Sequence, residues 1–372
     1  MSDIIRILHV LGALNRGGAE SMVMNLYRNM DRSKIQFDFV IHTDEDCDFN
    51  NEIRDLGGKI FSVPRYNGKN HFIYKKAWND FFSKHSEYRI VHGHMRSTAS
   101  IYLKIAKKYG LMTVSHSHST SSRGNFIEKK VKDIMQYPIR NIADYLFSCS
   151  DDSGKWLFGE NVIKRNNYKV IKNAIETDKY IFDENKRNFF RNSLDLKDKF
   201  VIGHVGSFTE PKNHDFLIDV FFEVLKKKSN SVLLLLGDGK LKNNILKKAE
   251  NLNILNKIFF IGVVSNVYDY MQAMDVFVFP SLWEGLPVTV VEAQASGLPC
   301  IVSDNVTKEV FITPNIISES LMKGSEYWAD KILSFWNHER KNMKKYVENS
   351  GFDIKDSVKE LYDFYKNLYF EV

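Results

Sequence analysis

The sequence is poor in cysteine and has no long apolar run. Three cysteines, Cys47, Cys149 and Cys300, are spread over 372 residues. They form no Cys-x-x-Cys pair and no disulfide framework, which fits a reducing cytoplasm. No stretch reaches the roughly 18 apolar residues of a transmembrane helix, so any membrane association is expected to be peripheral. Met1-Ser2-Asp3 runs straight into an apolar strand pattern, and no signal peptide is expected. No nucleic-acid-binding module is recognisable. No His, Cys or Asp cluster has metal-ligand spacing. Asp44-Glu45-Asp46 spells D-x-D, but it lies in an acidic loop and reads as solvated charge. The glycine-rich turn after the first strand lacks the spacing G-x-G-x-x-G, and no acidic residue ends a second strand, which disfavours a nicotinamide cofactor.

What is present suits two domains. The length exceeds that of one ordinary domain, and a hydrophobic content of 44% fills two cores. The net charge of +6 is uneven: residues 1–180 hold 28 Lys and Arg against 20 Asp and Glu, a net of +8, and the remainder is −2. The basic half, with Lys129, Lys130, Lys132 and Arg140 on one helical pattern from Asn125 to Ala143, suggests an anionic membrane surface or acceptor. A solvated helix face is the plainer alternative.

Apolar strand patterns alternate with amphipathic helical ones. The first series begins with the strand Ile4–Leu11, the turn Gly12 to Glu20 containing Gly17-Gly18, and a helix from about Ala19 to Met30. It continues to the strand Met112–Ser115, which ends in His116-Ser117-His118, and to the strand Asp144–Cys149. Residues 181–199 are polar and read as a linker. A second series starts with the strand Phe200–Val205 and the turn Gly206-Ser207, and Lys212 follows. Open α/β sheets place ligands at the carboxyl ends of their strands, where these glycines and histidines lie. Gly17-Gly18 could equally be a tight turn, and the two histidines could serve only to bond loop backbone.

The most informative stretch runs from Pro280 to Pro299: Pro-Ser-Leu-Trp-Glu284-Gly285-Leu286-Pro287-Val-Thr-Val-Val-Glu292, then Ala-Gln-Ala-Ser-Gly-Leu-Pro. A buried strand leads in, and Pro287 suits the first turn of a helix. Backbone amides at that helix start form an anion site, and Gly285 allows close approach. Glu284 and Glu292 flank it about two turns apart. Carboxylates serve a phosphate poorly but accept hydrogen bonds from sugar hydroxyls, so the pattern points to a nucleotide-sugar.

This cassette resembles the donor-site signature of the retaining glycosyltransferases of family 4, which have the GT-B fold. The resemblance implies two Rossmann-like parallel-sheet domains facing across a cleft: an acceptor-side domain 1–180, a donor domain 200–354, and a terminal helix 355–372 crossing back to the first. It further implies a metal-independent transfer from a UDP-sugar to a glycan or polyprenyl-diphosphate-linked acceptor in capsular or other surface polysaccharide synthesis. In that scheme Glu292 binds ribose, and Glu284 with the Gly285, Leu286 and Pro287 segment grips the sugar. Lys212, Gly17, Gly18, Gly206 and Ser207 meet the diphosphate. Gly262 and Val263 line the base. His116, or second His118, is the active-site histidine. Asn173 lies in a segment similar to the family's domain junction. Ser207 stands where the family usually has Arg, and Arg16 or Arg123 is a candidate replacement cation. An epimerase or phosphorylase on the same fold, or a non-catalytic UDP-sugar-binding subunit, remains open.

Overall fold

A computed structural model describes residues 4–120 and 125–370. The chain divides into two units, Met1–Ala174 with Ile354–Val372, and Ile175–Asp353.

The first unit is a seven-stranded parallel sheet. Its strands are β1 (Ile5–Val10), β2 (Ile35–Ile41), β3 (Ile60–Ser62), β4 (Ile90–Gly93), β5 (Met112–Ser117), β6 (Tyr145–Ser148) and β7 (Tyr168–Val170), in the order β3-β2-β1-β4-β5-β6-β7. The central strands read as continuous apolar runs because helices cover both faces. Ile7, Phe37, Ile90, Val114 and Phe147 fill one face, under the helix Gly18–Asn29 and the terminal helix Ile354–Phe370. Leu8, Val10, Val40, Val91 and Leu146 fill the other, with Trp78 and Tyr102 packed on them from the helices His71–Lys84 and Ala99–Lys108. The terminal helix contributes Leu361, Tyr365 and Leu368 to the first core.

The second unit is a six-stranded parallel sheet. Its strands are β8 (Phe200–Val205), β9 (Ser231–Leu236), β10 (Ile258–Gly262), β11 (Val276–Phe279), β12 (Cys300–Ser303) and β13 (Ile316–Glu319), in the order β10-β9-β8-β11-β12-β13. In each unit the strand order reverses once, between β1 and β4 in the first and between β8 and β11 in the second. Those are the positions where a doubly wound sheet opens a crevice at its carboxyl edge.

Three local expectations are corrected. The 181–199 segment is not an unstructured linker: it forms the helix Glu184–Ser193, capped by the Asp183 side chain. Arg187 and Arg191 of that helix lie 2.5 and 3.1 Å from the two carboxylate oxygens of Asp275, at the entry to β11. The pattern Asn125–Ala143 is not one helix. It begins with a capping box on Asn125, runs Phe126–Gln136, and breaks before Pro138, whose missing N–H and ring cannot sit inside a helix. The helix after the glutamate cassette starts later than expected, at Val288, with Pro287 as its N-cap rather than in its first turn.

Candidate donor site at the carboxyl edge of the second sheet

Gly206 follows β8, and the chain then makes a short 3-10 turn, Glu210–Lys212, before the helix His214–Lys227. Asn213 joins the two in the left-handed conformation at φ 53°. β11 ends in Phe279, and residues 280–287 form a loop leading to the helix Val288–Ala295. The two connections flank the strand-order reversal, and they are tied together. The Leu282 amide donates to the Pro211 carbonyl at 2.8 Å, and the Asn213 side-chain amide donates to the Pro280 carbonyl at 3.1 Å.

Between them Lys212 and Glu284 form an ion pair. The Lys212 ammonium donates to Glu284 Oε1 at 2.7 Å, with side chains 18% and 12% exposed. The ammonium also stands 4.7 Å above the centre of the Phe279 ring. Its stem lies along Gly206, where an added Cβ would come within 3.2 Å of Lys212 Cδ. The absent side chain at 206 therefore makes room for the lysine. Gly237, at φ 130°, packs its α-carbon against the Gly206 carbonyl, so a side chain there would collide with backbone. The Gly237 amide donates to the Gly262 carbonyl at 2.8 Å. Gly206, Gly237 and Gly262 thus line up as the floor of the edge, with Val263 exposed beside them.

Among the described residues, the amides of Gly285 and Leu286 donate no backbone hydrogen bond. Glu292 is the fifth residue of its helix, one turn past the start. It accepts a hydrogen bond from the Tyr180 hydroxyl at 2.6 Å. Burial pushes the Glu292 carboxyl up from its ordinary range, and the Tyr180 hydrogen bond opposes that rise. Burial, with the carboxylate beside it, pushes Tyr180 well above its ordinary value. Tyr180 had no motif to flag it; only the fold of residues 177–180 brings it under the helix. The Ser207 hydroxyl is exposed and lies 3.2 Å from Thr209 Oγ1, so at that position a neutral hydroxyl faces solvent.

The remaining candidates lie in the first unit. Gly17 caps the helix Gly18–Asn29 without a side chain, and Glu20 folds back over it, into the space a Cβ would need. Burial pushes the Glu20 carboxyl up. The Arg16 amide donates to Asp48 at 3.0 Å. Asn173 is half-buried, and its Oδ1 has no partner among the described residues. Arg123 lies outside the described residues. His116 is buried, with Nδ1 3.1 Å from His92 Nε2; His118 lies 2.8 Å from His94. Reading the sequence missed His9, His92 and His94 as their neighbours. A signal was there: His92-Gly-His94 and His116-Ser-His118 are two His-x-His pairs, each at a strand end. Asp44 and Asp46 are exposed, as expected of solvated charge.

Comparison with known proteins places this geometry. Residues 16–179 match the family described as glycosyltransferase family 4, and residues 185–350 match glycosyl transferases group 1. The chain is 34% identical over 368 residues to the putative glycosyltransferase EpsF of Bacillus subtilis, covering 97% of this chain and 96% of that one. It is 26% identical over 301 residues to the Escherichia coli UDP-Gal:alpha-D-GlcNAc-diphosphoundecaprenol alpha-1,3-galactosyltransferase, covering 77% of each. In fold it is similar to Anabaena Alr3699/HepE, solved in complex with UDP, with a TM-score of 0.77 at 16% identity over 98% of this chain and 100% of that one. Two doubly wound sheets, the strand-end cassette and these family matches agree: the chain belongs to the family 4 glycosyltransferases of the GT-B fold.

Proposed function

We propose that the protein is a retaining, metal-independent glycosyltransferase that takes a sugar from a UDP-sugar and adds it to a glycan or polyprenyl-diphosphate-linked acceptor in surface polysaccharide synthesis. The observation that carries the reading is the Lys212–Glu284 pair at the strand-order reversal of the second sheet, with Glu292 one turn inside the next helix. A diphosphate needs a cation and free amides; a sugar needs carboxylate acceptors. This edge offers both within one loop pair.

In this reading Lys212 turns from Glu284 to the donor diphosphate, joined by the amides of Gly285 and Leu286. Glu284 is thereby released to accept from sugar hydroxyls, and Glu292 accepts from the ribose. The bond from the anomeric carbon to the phosphate oxygen breaks, and the acceptor oxygen bonds to that carbon on the same face. The acceptor proton passes to the departing phosphate oxygen, so the protein supplies no nucleophile. Lys212 and the loop amides meet the charge that develops on the leaving group.

The acceptor side of the reading draws on the helix Phe126–Gln136. Phe126, Ile127, Val131 and Ile134 on it are all at least half exposed, and the last three fall at helical spacing on one stripe. Lys130 borders the stripe, and Lys129 lies on the opposite face. A basic, amphipathic, exposed helix suits the surface of an anionic bilayer, where a lipid-linked acceptor would be met at the inner face of the membrane. No described helix is long and apolar enough to cross a membrane.

The test is calorimetric titration with UDP, GDP, TDP and CMP, followed by donor turnover with the preferred UDP-sugar and NMR of the product's anomeric configuration. UDP is expected to bind best, Lys212→Ala to lower turnover about 10²–10³-fold, and the anomeric configuration to be kept. Equal, weak binding of all four nucleotides, or an inverted product, would sink the proposal.

A further inference from the structure

Five histidines meet on one face of the first sheet, at the carboxyl ends of β1, β4 and β5. Strand order carries them there. His9 stands in register with His92, and His92 with Val114. The positions two residues further, His94 and His116, continue the same face, because side chains alternate along a strand. The rings form two hydrogen-bonded rows. In one, His9 Nδ1 lies 2.9 Å from His94 Nε2, and His94 Nδ1 lies 2.8 Å from His118 Nε2. In the other, the Tyr365 hydroxyl lies 2.6 Å from His92 Nδ1, and His92 Nε2 lies 3.1 Å from His116 Nδ1. The rows stack on each other, with ring centres 4.5 Å apart at His92 and His94 and 4.1 Å apart at His116 and His118.

Proton counting shows that the rows do not close. A neutral imidazole has one N–H and one lone pair. A row of three therefore ends, whichever way its protons point, in one N–H and one lone pair with nothing opposite. Those ends are His9 Nε2 and His118 Nδ1. Both are buried and without a partner among the described residues, and so is His116 Nε2 at the end of the second row. Buried polar clusters ordinarily satisfy such atoms. Nothing in a parallel sheet calls for five imidazoles, and the open nitrogens of His116 and His118, on rings stacked 4.1 Å apart, point to a ligand.

We infer that the cluster is a site for one divalent transition-metal ion of the zinc type, held by one nitrogen each of His94, His116 and His118, with His94 Nδ1 exchanging its bond to His118 for the ion. Ligand atoms of these three lie within 4.8 Å of one another. Three neutral imidazoles are a donor set that zinc, copper and nickel accept, and with zinc they leave one coordination position open. The other two histidines then have a role. His9 holds the second nitrogen of His94, and His92, backed by Tyr365, holds the second nitrogen of His116. Such outer partners fix the tautomer and direction of metal-binding rings. His9, His92 and His94 also satisfy the 4.8 Å spacing, but all three are fully enclosed. His118 is the partly exposed member, which gives an ion a way in and favours the outer triad. All three ligands belong to the first unit, and the test uses neither donor nor acceptor.

The experiment is titration of chelator-stripped, untagged full-length protein with Co²⁺, then Zn²⁺. The expected result is one Co²⁺ per chain with the intense visible bands of a low-coordinate site, displaced by one Zn²⁺. His118→Asn and His116→Asn should each weaken binding by more than the roughly 10–100-fold that loss of an outer partner costs, and His9→Phe by about that amount. His85→Asn, outside the cluster, should change nothing. Circular dichroism identifies any variant that fails to fold, and His118→Asn at the partly exposed row end is chosen as the mildest change. Absence of the Co²⁺ bands, or binding unchanged in folded His118→Asn and His9→Phe protein, would overturn the site and leave a hydrogen-bonded polar core.

Discussion

In the first domain the strand order reverses between β1 and β4, and the side chains gathered around that reversal are imidazoles. In the second it reverses between β8 and β11, and they are a lysine and a glutamate. The topology is the same, 3-2-1-4-5-6 in each, with one further strand in the first. Burial separates the two edges. His9, His92 and His116 are at most 2% exposed, and burial holds each of them low, His9 at about 3, so they are uncharged at neutral pH. Lys212 and Glu284, by contrast, form an ion pair whose side chains keep 18% and 12% exposure. A doubly wound edge can thus be a dry, neutral hydrogen-bonding site or a wet, charged one, depending on how deep its polar side chains sit.

The contrast can be broken most forcefully at Lys212. Lys212→Ala removes the cation paired with Glu284. Turnover should fall about 10²–10³-fold, the loss seen when one donor to a developing oxyanion is removed. The check is steady-state donor consumption; a variant within threefold of the parent would show that the charged edge is structural.

The second domain also holds a buried histidine pair, His204 and His214, with ring centres 4.7 Å apart behind the Gly206 turn. Burial, with Lys212 adding to it, lowers His214 from 6.5 to about 4. The unfolded chain therefore binds the proton more readily. The stability due to neutral His214 is fully present above about pH 6.5 and is lost as the pH falls toward 4. Each pH unit in that window is worth about 1.4 kcal/mol for one group. His214→Phe should retain about 3 kcal/mol more than the parent at pH 4, relative to their difference at pH 7, by urea titration. Parallel pH profiles would show that His214 titrates normally.

A finer test restores a cation. Ser207→Arg should tighten UDP by about 1.5–3 kcal/mol, the worth of a hydrogen bond to a charged group, and leave uridine unchanged. Equal changes for both ligands in calorimetry would place residue 207 away from the diphosphate. The smallest effect is expected at Tyr180→Phe, which removes one hydrogen bond to Glu292 and should cost about 0.5–1.5 kcal/mol of stability. UDP affinity measured on the same variant shows whether the hydroxyl also aims the carboxylate.

Much of this molecule can be read along the chain, because parallel strands are apolar runs and βα turns are glycine-rich. β1, β8 and β11, and the loop bearing Glu284, follow from local pattern alone. Short or polar elements do not. β7 and β13 have three and four residues, none fully apolar in pattern, and the helix Gly324–Leu333 follows a stretch without a clear periodic lead. The break at Pro138 was visible as a residue and outweighed by the amphipathic pattern around it. The histidine rows are a different kind of omission. His9, His92, His94, His116 and His118 belong to three separate strands, and only the order β1-β4-β5 makes them neighbours. Tyr180 and Glu292, 112 positions apart, meet for the same reason.

The terminal helix sets an order of events during synthesis. Ile354, Leu361, Tyr365 and Leu368 complete a core whose other buried members lie between Ile5 and Ala174, and Tyr365 closes one histidine row. A ribosome delivers all of Ile175–Asp353 before it delivers that helix. The chain of the second domain is therefore complete while part of one face of the first sheet still lacks its cover, so the earlier-made half is closed last. Until residues 354–370 arrive, His9, Phe37 and His92 lack the Tyr365 ring that packs against them.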